Sequence, residues 1–147
     1  SVSGPARLSS PRILAYPREA VVAEKLEAMV VLGDRNSRIK DFFDLHHLAH
    51  AFAFDRSTLA EAVRRTFDRR RTPIPAAAPI GLMPEYWENP TRPTQIRAFA
   101  QRAGIAVPET FPDDCARTLH AFLWPLLDDV RTGKSTKATW APGGPWK

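Results

Sequence analysis

Apolar residues return with a helical period over most of this chain. In residues 17–32 the inward positions are Val22, Leu26, Met29 and Val30, and Gly33 supplies a stop where a left-handed backbone is easily reached. A second period in residues 37–52 sets Phe42, Leu45, Ala49 and Phe52 on one stripe. The third, in residues 57–69, aligns Leu59, Ala62, Val63, Thr66 and Phe67, with Asp55 or Ser57 as its N-cap. Residues 93–103 turn Ile96, Phe99 and Ala100 inward and end at Gly104. In residues 112–131 Cys115, Leu119, Phe122, Leu123, Leu126 and Leu127 share a side, and Pro125 is expected to bend that helix. Residues 12–16 suit a short strand. Between residues 72 and 93 six prolines exclude regular structure, with Tyr86 and Trp87 pinning the loop to the helices. The expected fold class is therefore mainly α, a bundle of about five helices with long proline-rich loops and a short N-terminal strand.

Charges interrupt two of these stripes. Lys25 falls between Val21 and Met29 on the apolar side of the first helix, while Glu24 and Glu27 point the other way. Arg38 and Asp41 lie on the inward stripe of the second helix, with Asp44 at its margin. A buried charge without a partner costs several kcal/mol, so these groups either pair with one another as a structural bridge or serve a ligand. The pattern by itself leaves both open.

Tyr16-Pro17, Glu24-Lys25-Leu26-Glu27-Ala28 and Asn36-Ser37-Arg38-Ile39-Lys40-Asp41-Phe42-Phe43-Asp44-Leu45 occur in close succession. They are followed by Thr66-Phe67, by Arg70-Arg71-Thr72-Pro73-Ile74-Pro75, and by the closing Trp140-Ala141-Pro142-Gly143-Gly144-Pro145-Trp146. Read together from about Pro11 onward, these stretches resemble the second half of the AbiEii/AbiGii toxin family. Those are nucleotidyltransferase-like toxins of bacterial toxin-antitoxin pairs in abortive infection, a form of phage defence. The resemblance implies the C-terminal part of a polymerase-beta-like nucleotidyltransferase, whose other half carries a Gly-Ser loop and paired carboxylates that hold divalent metal against the nucleotide. This sequence has no Gly-Ser followed by Asp-x-Asp, and it starts at Ser1 rather than Met, so a piece of a longer protein is expected.

Under the resemblance, Lys25 and Asp41 are the catalytic pair. Lys25, Arg38 and Lys40 are the phosphate-binding residues. Asp41 acts as base, metal neighbour or anchor for Lys25, and Asp44 orients one of the basic groups. Mg2+ and a nucleoside triphosphate are expected cofactors of the full-length family protein, with none held by this piece alone. The expected partners are the absent N-terminal nucleotidyltransferase half, a cognate antitoxin and tRNA as the nucleotide acceptor. A helical half parted from its sheet is also expected to expose apolar surface and self-associate. The alternative is a non-catalytic module that binds an antitoxin protein or RNA through its basic loop and tryptophan tail.

A chain of 147 residues, 44% hydrophobic, suits one core, divided here into a helical domain of residues 1–133 and a Trp-containing tail of residues 134–147. Trp140 and Trp146 are anchors for a surface groove or for the absent domain, or else ride on a mobile tail. A net charge of +5 directs attention to Arg64, Arg65, Arg69, Arg70 and Arg71, of which Arg69, Arg70 and Arg71 are the candidate RNA contacts. Part of that cluster also suits a helix C-terminus electrostatically. The single Cys115 and the lack of a membrane-length apolar run point to the cytoplasm, with no membrane partner. Asp44-Leu45-His46-His47-Leu48-Ala49-His50 departs from the aromatic or aliphatic residues expected there under the resemblance. His46 with His50, or Asp44 with His47, has the spacing of metal ligands on one helix face. With no second Cys or His cluster, no metal site is assigned.

Overall fold

A computed structural model describes residues 17–147, so the strand expected at residues 12–16 lies outside the described residues. Among the described residues six α-helices carry the fold: α1 (Arg18–Leu32), α2 (Ile39–Ala51), α3 (Arg56–Arg70), α4 (Pro84–Trp87), α5 (Arg92–Ala103) and α6 (Phe111–Thr132). Two short strands, β1 (Phe54–Asp55) and β2 (Thr139–Trp140), complete it. The mainly α class is as expected. Among the described residues no helix is long and apolar enough to cross a membrane.

The extra helix, α4, lies in the proline-rich stretch from which regular structure had been excluded. Pro84 occupies its first turn, where the missing N–H costs nothing and the fixed φ is already helical. A 3-10 turn at Ile80–Leu82 precedes it. Tyr86 is fully buried and stacks on Phe42 at 4.5 Å, with Trp87 edge-on to the same ring, so both aromatics do hold this segment against α2.

α6 is the centre of the bundle. Cys115, Leu119, Phe122, Leu123, Leu126 and Leu127 are all buried on it, and the helix continues through Pro125. α3 packs against both α6 and α1 through Leu59, Ala60, Val63, Thr66 and Phe67. Its N-cap is Asp55, whose carboxylate accepts the Thr58 N–H at 2.9 Å.

The tail folds onto this same core. β2 pairs antiparallel with β1, placing Phe54 opposite Trp140 and Asp55 opposite Thr139. Trp140 is 2% exposed, and its indole N–H donates to the Ala49 carbonyl at 2.7 Å. The Gly143 N–H reaches the same carbonyl at 2.9 Å, so the tail satisfies an acceptor that the end of α2 leaves open. Trp146 stacks on Phe122 and donates to its carbonyl. Both tryptophans thus anchor within this chain.

Candidate functional site

The turn between α1 and α2 decides where the charged residues meet. Gly33, at φ 58°, ends α1 and leads into a 3-10 turn at Gly33–Arg35. The next residue, Asn36, is buried; its side-chain oxygen accepts the Arg38 N–H at 2.9 Å, and its carbonyl accepts the Tyr86 hydroxyl. Arg92, only 2% exposed, donates to the Asp34 carbonyl at 2.6 Å, to the Asp34 carboxylate at 3.0 Å and to the Tyr86 carbonyl at 2.8 Å. Its guanidinium also lies 3.6 Å from the centre of the Tyr86 ring. This buried cation fixes the turn and thereby the start of α2.

From those positions α1 and α2 bring Lys25, Arg38, Lys40, Asp41 and Asp44 together. Lys25 Nζ donates to Asp41 Oδ1 at 2.9 Å and lies 3.3 Å from Asp44 Oδ2. Arg38 Nη2 stands 2.8 Å from Asp41 Oδ2, though off the hydrogen-bonding direction, so this buried oxygen has a charged neighbour but no hydrogen bond among the described residues. Lys40 Nζ donates to Asp44 Oδ2 at 2.7 Å. Burial of Lys25 works against its charge, but the hydrogen bond and charge of Asp41, with the charge of Asp44, outweigh it and hold the ammonium above its ordinary pKa. An ammonium has three donors; Asp41 engages one of them, and Asp44 stands by as a second charged neighbour.

The cluster opens on a cleft of about 360 Å³ between α1, α3 and the start of α2. Lys25, Arg38 and Arg70 line it with Glu24, so three cations and one carboxylate face an incoming molecule. Arg38, expected inward, instead occupies the N-cap position of α2 without a capping side-chain hydrogen bond, its side chain 56% exposed at the mouth and its guanidinium beside Asp41. Glu27, expected to face away from the core, is buried. α3 covers that side of α1, and Glu27 accepts from Thr72 Oγ1 at 2.6 Å and pairs with Arg70 at 3.2 Å.

Arg70 reaches the cleft because these carboxylates hold it there. Besides Glu27 it contacts Glu24 at 2.9 Å, and Arg69 contacts Glu24 at 3.2 Å. Arg64 and Arg65 both bond Glu61, whose carboxyl is pulled down to about 2 by these hydrogen bonds. Arg71 is exposed and left-handed at φ 55° just beyond α3. The basic cluster is thus largely laced into surface ion pairs.

The arrangement gathers basic groups from separate elements at one cleft, each already paired with a carboxylate, so it can take a multiply charged anion such as a polyphosphate by exchanging those pairs. It is poorly suited to holding a metal ion, since the carboxylates of Asp41 and Asp44 already face cations. A family model described as nucleotidyl transferase AbiEii toxin, type IV toxin-antitoxin system, matches residues 2–125, which include every residue of this cluster and end before the tryptophan tail. No curated protein and no solved structure matches the chain. With the family model spanning most of its length, the chain belongs to the AbiEii nucleotidyltransferase toxin family.

Proposed function

We propose that the cleft between α1, α3 and the start of α2 grips the triphosphate of a nucleotide that the toxin transfers to an RNA acceptor, tRNA above all. The observation carrying this reading is the convergence of Lys25, Arg38 and Arg70 on one cleft of about 360 Å³ in a nucleotidyltransferase-family chain. Lys25 is the central point charge. Asp41 serves as its anchor, the role that its paired oxygens favour over base or metal neighbour. Asp44 holds Lys40 beside the mouth.

Nucleotidyl transfer draws on a divalent metal to neutralise charge on the attacking and leaving oxygens. Asp41 and Asp44 do not fit that task while they face Lys25, Arg38 and Lys40. The metal-holding carboxylates therefore belong, in this proposal, to a Gly-Ser/Asp-x-Asp half that joins this one. Arg69, Arg70 and Arg71 would steer RNA to the same mouth, because the exposed pairs of Arg69 and Arg70 with Glu24 are worth only about 0–1 kcal/mol and exchange readily for phosphate. An antitoxin is the protein partner that a toxin-antitoxin family brings with it.

Equilibrium binding of a fluorescent nucleoside triphosphate, with Mg2+, to this chain joined to the metal-holding half tests the proposal. Lys25→Ala and Arg38→Ala are each expected to weaken binding by at least about tenfold, the loss of roughly one charge-assisted contact. The same variants should lose incorporation of labelled nucleotide into tRNA. Triphosphate binding that stays unchanged in both variants would overturn the assignment of the cleft.

A further inference from the structure

On the side of α2 turned away from the Lys25 cluster, three potential metal ligands meet. His46 and His50 project about 140° and 180° round the helix from Asp41, toward α6. Asp114, in the first turn of α6, completes the group: one ligand atom from each residue lies within 4.8 Å of the others. Among the described residues this is the one such group of three. The two rings are 4.4 Å apart, His46 Nε2 is 2.8 Å from Asp114 Oδ2, and His50 Nε2 is 3.5 Å from Thr118 Oγ1.

We infer that His46, His50 and Asp114 bind one divalent transition-metal ion of the zinc class and so clip α2 to α6. Imidazole nitrogens one helical turn apart with a single carboxylate form a donor set that suits Zn2+, and three protein ligands leave the remaining position to water. A tetrahedral ion about 2.0–2.2 Å from its ligands sets them about 3.3 Å apart. His46 and Asp114 stand slightly closer than that and need only part by about half an ångström, with the ion replacing their hydrogen bond. His50 is exposed and its contact to Thr118 is long, so its ring is free to swing inward.

The surroundings hold two of the three ligands in place. The His46 ring packs edge-on against Phe111 at 5.3 Å, and Arg117 donates to the other Asp114 oxygen at 3.2 Å, fixing which oxygen faces the histidines. Asp44 takes no part. Its carboxylate is engaged by Lys25 and Lys40, and His47 is exposed on another side of the helix.

The test is titration of the chelator-stripped chain with Zn2+, followed by calorimetry and melting, and with Co2+, followed by visible absorption. Expected are one equivalent bound, a higher Tm and the absorption bands of low-coordinate Co2+. His46→Ala, His50→Ala and Asp114→Asn should each lower affinity by at least about tenfold, and His47→Ala should not. His50 is exposed, so its replacement leaves the fold intact and keeps the test decisive if the other variants unfold. Absence of saturable one-to-one binding, or binding that survives His50→Ala and Asp114→Asn, would overturn the inference and reduce the group to a hydrogen bond between helices.

Discussion

Lys25 shows how a single side chain serves two masters. It neutralises Asp41, which is buried, and it lines an open cleft, with its own side chain 21% exposed. Lys25→Met keeps the aliphatic stem but strips Asp41 of its hydrogen-bond donor, and is expected to cost about 1–3 kcal/mol in urea unfolding at neutral pH. The pH dependence has a definite sign. Because the folded state raises the Lys25 pKa above 10.5, its contribution is present in full below that pH and fades as pH rises through the folded value. The stability gap between wild type and Lys25→Met should therefore stay level up to about pH 10 and narrow only as pH rises above 10.5 through the folded value. A gap that stays constant above 10.5 would mean the ammonium does not stabilise Asp41. The inward charge of Lys25 and Asp41 was legible from the helical wheel. Glu27 was not, because its burial depends on α3 covering a face that is polar in the sequence.

Helices with regular periods were found within one or two residues of their expected ends, since a stop such as Gly104 or a cap such as Asp55 acts locally. The proline-rich segment was misjudged because prolines that forbid a helix interior can also begin one, as Pro84 does. Its 3-10 turn meets α1 at Gly81, where a Cβ would lie 2.3 Å from Met29 Cγ and 2.6 Å from its sulfur. Gly81→Ala is expected to destabilise by about 1–3 kcal/mol through overpacking. In a double-mutant cycle by chemical denaturation, combining it with Met29→Ala should cost less than the two changes summed. Strict additivity would show that this close approach is not what selects glycine.

For the whole molecule the decisive feature is the return of the chain end. Trp140 joins the core between Phe122 and the end of α2, so Trp140→Ala is expected to cost about 3–5 kcal/mol, a fall in Tm that calorimetry would read directly. A change under 1 kcal/mol would show that the tail merely rests on the bundle. The apolar face expected to drive self-association has little surface behind it. Among the described residues only Val31 and Ile105 are large exposed hydrophobics.

The five longer helices with their apolar inner faces and the stop at Gly33 followed from the sequence, because each depends on residues within a turn or two of one another. The family followed too, from short motifs in a fixed order. Tertiary structure alone decided that Arg70 shares a cleft with Lys25, that Arg92 is buried under the α1–α2 turn, that Trp140 lies in the core and that Asp114 stands beside two histidines. Most of these contacts join residues 45 or more positions apart, such as Arg92 with Asp34, Trp140 with Ala49 and Asp114 with His46; the links from Arg92 to Tyr86 and from Trp140 to Phe122 are nearer in the chain. Periodicity tells which way a side chain faces on its own helix; only packing tells what it will face.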